Sequence, residues 1–207
     1  MVPNVAGSNP VIRPMFFPRF FGISNMLKPL LNFPQSIKTQ RLELRTIAPT
    51  PENASSIFLV IEQNRDWLEA WQGHFEYLRS VSDVNDLLKR RFSQIASDEG
   101  ILFGIYKDNT LIGRIRFSVA GDKECEIGYW LIKSENGHGY MSEALRALEA
   151  ELFKFGVDKI RLEIDGGNTY SENVAKRNDY MFIKRNPMDS WAKCVGKCDT
   201  LIYEKNK

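Results

Sequence analysis

The spacing of apolar residues changes period several times along the chain, and each change predicts an element. Arg41-Leu42-Glu43-Leu44-Arg45 alternates with period two and reads as a half-buried strand. Thr50-Pro51-Glu52 signals a helix start: a hydroxyl cap, proline at the first helical position, then an acid at the positive end of the dipole. A short aromatic segment follows around Trp67-Leu68-Glu69-Ala70-Trp71. Val84, Leu87, Leu88, Phe92 and Ile95 then recur at helical spacing behind Ser82 as the cap candidate. Apolar runs at 101–106 and 111–117 flank Asp108-Asn109, a hairpin signal, and 124–132 is a third strand. A glycine turn leads to a helix with Met141, Leu145, Leu148, Leu152 and Phe155 on its apolar side, ended by Gly156. Ile160, Leu162 and Ile164 mark another strand. A short helix near 171–178 and strands at 181–185 and 200–203 complete the chain. The order β-α-α-β-β-β-α-β-α-β-β predicts one mixed α/β domain.

Ahead of this pattern, residues 1–36 hold six of the nine prolines and the aromatics Phe16, Phe17, Phe20, Phe21 and Phe33. Proline at that density blocks continuous helix and ladder, so 1–36 reads as an irregular extension before a domain at 37–207. Three readings of it stand: a strap across the domain, a partner or homodimer contact, or a targeting segment. Its charge is one-sided. Residues 1–42 carry five basic side chains and no acid, which leaves 23 basic against 26 acidic residues beyond them. A mildly acidic body argues against a nucleic-acid partner. With no apolar run long enough for a membrane span and three cysteines unable to build a disulfide framework, a soluble, cytoplasmic protein is expected.

Candidate chemistry lies between the third strand and the helix after it, in Asn136-Gly137-His138-Gly139-Tyr140-Met141-Ser142. The glycines permit a tight turn and close approach of a ligand, and the helix start offers unpaired N–H groups to a phosphate. Ser142 adds a hydroxyl. A third dinucleotide-type glycine and a Walker-type Gly-Lys-Ser/Thr are both missing. Alone, such a turn is equally a connection that binds nothing.

The run EIGYWLIKSENGHGYMSEALRAL resembles the acetyl-CoA-binding core of the GNAT N-acetyltransferases, and more narrowly the RimJ/RimL type that acetylates ribosomal-protein N-termini. TQRLELR, NRDWLEAW, LIGRIRF and GNTYSENVAKRNDY stand in matching order, so the resemblance spans about 38–203. It implies a central, mostly antiparallel twisted sheet, splayed at the cofactor-binding strand and flanked by helices. It further implies that acetyl-CoA lies along Tyr129, Trp130, Leu131 and Ile132, with its pyrophosphate on Asn136, Gly137, His138, Gly139, Tyr140 and Met141. Asn168 would contact the cofactor near its reactive end, and Ser171 would protonate the leaving thiolate. Trp67, Trp71 and Tyr77 would wall the acceptor pocket, although core packing of a short helix is their plainer reading. Two departures stand out: Asn136 replaces the usual Gln or Arg, and Asp179-Tyr180 replaces Gly-Phe.

The implied reaction is acetyl transfer to a primary amine, most directly a protein N-terminal α-amine. Attack needs the neutral amine: an α-amine is roughly a tenth neutral at about pH 7, a lysine only a few parts in ten thousand. A modest base therefore suffices. Glu126, on the cofactor-binding strand, is the first candidate, against the plainer reading of a solvated carboxylate; Asp189 is the second. A small-amine acetyltransferase and a non-catalytic acyl-CoA-binding module are the alternatives. His74 and His138 have no partner pattern for nucleophilic catalysis, and Cys125, Cys194 and Cys198 are poorly spaced for zinc, so no metal is expected. Lys89-Arg90-Arg91 reads as a solvated face, with an acidic partner as the sharper alternative.

Overall fold

The computed structural model describes residues 29–207. Its sheet contains β1 (Ser36–Lys38), β2 (Glu43–Thr46), β3 (Gly100–Lys107), β4 (Thr110–Gly121), β5 (Glu124–Leu131), β6 (Lys159–Asp165), β7 (Met181–Ala192) and β8 (Gly196–Asn206). With them come α1 (Pro51–Gln63), α2 (Arg65–Trp71), α3 (Val81–Ala96), α4 (Tyr140–Phe155) and α5 (Thr169–Arg177). The strand order is β1-β2-β3-β4-β5-β6-β8-β7. Every pair is antiparallel except β5–β6, which is parallel.

Local signals account for most elements. Thr50 caps α1 by accepting from the Asn53 N–H at 3.2 Å. Asp108 and Asn109 both adopt positive φ, 49° and 62°, as a two-residue hairpin turn demands. The cap of α3 is a correction: Ser80, not Ser82, accepts from the Asp83 N–H at 3.2 Å, while Asp83 accepts from the Arg79 N–H at 2.9 Å. This reciprocal arrangement fixes the start at Val81. The first predicted strand also shifts, to Glu43–Thr46, and the short β1 precedes it. The last two strands run well beyond their predicted ends.

Both faces of the sheet are covered. On one, α4 buries Met141, Leu145, Leu148 and Leu152 against Phe103, Ile115, Phe117, Ile127, Ile160 and Leu162. On the other, Ile57 and Ile61 of α1, Leu68 of α2, and Val84 and Leu88 of α3 pack with Leu102, Leu111 and Trp130. Because β3 is buried on both faces it is apolar almost throughout. A single 3-10 turn (Leu30–Asn32) carries Leu30 and Phe33 into the first cluster, where the Phe33 ring meets Phe117 and Phe155 at 5.1 Å each. Phe16, Phe17, Phe20 and Phe21 lie outside the described residues.

Candidate active site at a splayed strand

β5 and β6 pair only over Glu124–Glu126 and Lys159–Arg161. Beyond that point β6 continues on β8, and β5 continues on β4 to the Gly113–Leu131 pair. The strands separate like a wedge, leaving the β6-facing edge of Ile127–Leu131 without a strand partner. Such an edge offers backbone donors and acceptors to an extended ligand. Alternation sets Glu126, Gly128 and Trp130 toward α1–α3, and Ile127, Tyr129 and Leu131 toward α4 and α5. A Cβ added at Gly128 would meet nothing within 4 Å, so there is open space at the splay.

Past β5 a 3-10 turn (Lys133–Glu135) leads to Gly137 and Gly139, at φ 83° and 79°. Only glycine holds that conformation without strain. A Cβ at Gly137 would meet nothing within 4 Å, and the α4 start at Gly139 has no side-chain cap. The leading N–H groups of α4 are thus left to a ligand or water. Arg41 donates to the His138 carbonyl at 3.0 Å and lies over the Tyr140 ring at 4.5 Å; Lys107 Nζ lies 5.0 Å from the same ring. A cleft of about 270 Å³ near the turn is lined by Lys38, Arg41, Arg45 and Tyr106, with Glu43 and Asp108 also on its wall.

Several predicted residues face elsewhere. Asn136 turns its amide back onto the Ile132 carbonyl at 2.9 Å. Ser142 is buried, its hydroxyl accepting from Asn178 at 3.1 Å between α4 and α5. The Trp130 ring packs against Phe75 in the α1–α3 core, so its backbone alone belongs to the wedge. His138 is exposed and stacks on Tyr140.

Other predicted residues converge on the splay. Asn168 caps α5, its Oδ1 accepting from the Ser171 N–H at 3.2 Å, and Tyr129 donates to the Ser171 carbonyl at 3.4 Å. Burial pushes the Tyr129 phenol up. Glu126 is buried on the opposite side of the wedge; burial and then the Glu163 charge push its carboxyl up to about 7, with Arg116 and Arg161 pulling the other way. Burial likewise raises Glu163, and Asp189 on β7 adds to the rise. Asp189 therefore lies near Glu163, and both are exposed where Glu126 is buried. Trp67 donates to the Leu131 carbonyl at 3.0 Å and meets Tyr170 edge-on at 5.2 Å, while Trp71 approaches Gly167. Tyr77 is exposed at the end of the adjoining 3-10 turn (Gly73–Tyr77).

Glu69 was not singled out from the sequence. Buried in α2, it accepts from Arg65 at 2.8 Å and from Lys193 at 2.7 Å, tying the aromatic wall to the end of β7. Lys193 first, then Arg65, hold its carboxyl below the usual range against burial. Among the described residues no three His, Cys, Asp or Glu side chains converge on a metal site.

A sequence profile of the acetyltransferase (GNAT) domain matches residues 41–181. The chain belongs to the GNAT acetyltransferase family. The ribosomal-protein-serine acetyltransferase of Escherichia coli (strain K12) is 30% identical over 151 residues, covering 69% of this chain and 80% of that protein. Among solved structures, the RimL ribosomal L7/L12 α-N-protein acetyltransferase in complex with coenzyme A superposes with a TM-score of 0.77 at 21% identity, covering 83% of this chain and 97% of that one. The microcin C7 self-immunity acetyltransferase MccE, in complex with acetyl-CoA and AMP, gives 0.76 at 21% identity over 84% and 97%. The splayed sheet is thus the GNAT fold.

Proposed function

We propose that this GNAT enzyme acetylates the N-terminal α-amine of a protein, with acetyl-CoA as co-substrate. One observation carries the reading: the wedge at Glu126 and Arg161 opens toward an uncapped glycine turn, with Ser171 on one side of the gap and Glu126 on the other. These features fit acetyl-CoA, since an unpaired strand edge suits the amides of its pantetheine arm and a bare helix start suits its phosphates. Tyr129, Trp130, Leu131 and Ile132 would hold the arm through their backbone. Gly137, His138, Gly139, Tyr140 and Met141 would hold the pyrophosphate, Asn136 only shaping the turn. When bound, the thioester supplies an acyl carbon open to attack.

The chain's residues then manage protons and charge. Glu126, raised to about 7, is matched to an α-amine of about 7.7–8.0 and takes its proton directly or through water. Glu163 and Asp189 offer that proton a way out. A backbone N–H at the splay steadies the oxyanion, and Ser171, held by the Asn168 cap, hands a proton to the departing sulfur. Trp67 and Trp71 wall the acceptor side, with Tyr77 at its outer margin. The domain that does this runs over 37–207, with Leu30 and Phe33 anchoring the extension to it.

The E. coli relative is named for modifying a ribosomal-protein serine, which supports a protein N-terminus as acceptor. Such an acceptor suits a cytoplasmic enzyme; no helix among the described residues is long and apolar enough to cross a membrane. The test is thiol release from acetyl-CoA with Ser- and Ala-starting peptides beside polyamines and amino sugars. Release with the peptides supports the reading. Release with the small amines alone replaces the acceptor, and binding without release leaves an acyl-CoA-binding module.

A further inference from the structure

Under α3, on the same face of the sheet as Glu126, three guanidinium groups are drawn together without a counter-ion. β4 presents Arg114 and Arg116 two residues apart, and Arg91 of α3 turns in above them. Gln94 Oε1 accepts from Arg91 Nη1 at 3.2 Å and from Arg116 Nη2 at 3.3 Å. Arg114 Nη2 lies 3.0 Å from His74 Nε2 and its guanidinium lies over the Phe75 ring at 5.7 Å. Desolvation by the packed Phe75 and Arg114 side, then the charges of Arg114, Arg91 and Arg90, lower the imidazole of His74 well below its usual value although the residue keeps an exposed face, so it meets Arg114 as a neutral acceptor. Both partners of the cluster are therefore uncharged.

Elsewhere several arginines are paired, Arg41 with Glu143, Arg65 with Glu69 and Arg161 with Glu204, and Arg146 donates to Asn178 Oδ1. Among the described residues, none of Arg91, Arg114 and Arg116 has a carboxylate within ion-pair distance, and Arg91 Nε is buried with no hydrogen-bond partner. Glu126 and Glu99 act on Arg116 only through space. Burial and mutual repulsion push Arg114 down to about 9 and Arg116 to about 10. All three arginines are half-buried, and gathering like charges on such a face is unfavourable unless an occupant brings the opposite charge. The space for one is adjacent: Arg116 stands opposite Gly128 in the β4–β5 register, where the splay is open.

We propose that Arg91, Arg114 and Arg116 form an anion subsite for the acceptor, receiving the carboxylate of an Asp or Glu close behind the amine that is acetylated. The inference rests on the N-terminal acetyltransferase reading and names its substrate class. A guanidinium fork matches a carboxylate in two parallel bonds. In the β4–β5 register Arg116 and Arg114 stand two and four residues along from the level of Glu126, and extended chain spans about 3.3 Å per residue, so the acid falls within roughly the first four residues. The two walls of the pocket have opposite sign: carboxylates on the β6–β7 side, where the ammonium arrives, and arginines on the β4–α3 side.

The test uses the full chain, acetyl-CoA and serine-starting peptides that differ only in Glu, Gln or Lys placed in turn at each of the three residues after the first. At the preferred position Glu is expected to exceed Gln in kcat/KM by about tenfold or more, the scale of one charge-assisted hydrogen bond, with Lys lowest. Added salt should shrink the ratio. Arg116→Gln and, separately, Arg91→Gln should bring the Glu-to-Gln ratio toward one; if one variant melts early, the other and the unaltered chain still decide. Equal rates for all three peptides overturn the subsite while leaving the acetyltransferase standing. Peptide-independent competition by free AMP, relieved by Arg116→Gln, assigns the arginines to a phosphate and overturns the carboxylate. No acetylation of any peptide despite acetyl-CoA binding by calorimetry overturns the functional reading, and the inference with it.

Discussion

Arg41 Nη2 and Glu143 Oε2 meet at 2.6 Å, joining the loop before β2 to the first turn of α4. The same carboxylate accepts from Thr39 Oγ1 at 2.6 Å and from the Arg41 N–H at 2.9 Å, while Arg41 Nη1 reaches the His138 carbonyl. The Thr39-Gln40-Arg41 run and the first turn of α4 are therefore one unit, and the unit positions the glycine turn. Arg41→Ala is expected to weaken acetyl-CoA binding about tenfold, the loss of one charged hydrogen bond, as read by calorimetry. Burial raises the Glu143 carboxyl, but the bonds from Thr39 and Arg41 win and hold it lowered. Its contribution to stability is thus present above the unfolded carboxylate pKa and is lost as pH falls through the folded value.

Glu126 sets the acid side of the pH profile. With a carboxyl at about 7, kcat/KM rises as pH passes upward through about 7, because the base works deprotonated. Glu126→Gln should lower kcat/KM by about a hundredfold and move the limb toward the pKa of the peptide amine. An unchanged limb would mean that another group takes the proton.

Ser171→Ala removes the proposed proton donor but not the α5 cap, which belongs to Asn168. The expected result is a fall in kcat of about a hundredfold with acetyl-CoA affinity retained. Asn168→Ala is the complement, costing about 1 kcal/mol of stability through the lost cap. Chemical denaturation separates the two.

Glu69 holds α2 to β7. Glu69→Gln leaves Arg65, Arg79 and Lys193 facing a neutral group, and roughly 3 kcal/mol of stability is expected to go. Since the folded carboxyl is depressed, its stabilisation is full above the unfolded value and fades on acidification through the folded one. Denaturant midpoints for both chains should converge as pH falls.

Asp179 sits at φ 62° after α5, in the left-handed region that favours glycine. Asp179→Gly is expected to raise stability by about 1 kcal/mol by relieving a left-handed non-glycine residue, with turnover unaffected.

Legibility in the sequence followed the range of the interaction. The hairpin at Asp108-Asn109 and the turn at Gly137 and Gly139 were readable because few residues tolerate positive φ, and the α1 cap because Thr50 acts on its own neighbours. Ser80 rather than Ser82 caps α3, and Asp83, three residues on, carries the signal. β1 has a single buried residue, Ile37, too little for a period to emerge. What escaped depends on distant partners. Glu69 is explained by Lys193, 124 residues away. Lys89-Arg90-Arg91 reads as solvated until the position of α3 shows Arg91 turned inward beside Arg116. Arg114 and Arg116 alternate as solvent-facing strand residues would, and only the helices packed on that face bring Arg91 and His74 to them. Alternation put Glu126 on the face opposite Ile127, but its burial needed the sheet order.

The decisive experiment gives the enzyme acetyl-CoA and a serine-starting peptide with one internal lysine, and locates the acetyl group by fragment mass. Acetylation is expected at the α-amine, lost when that amine is blocked and strongly reduced in the Glu126→Gln chain. Acetyl on the lysine, or acetyl-CoA bound but left intact with every peptide, would rule out an N-terminal α-amine acetyltransferase.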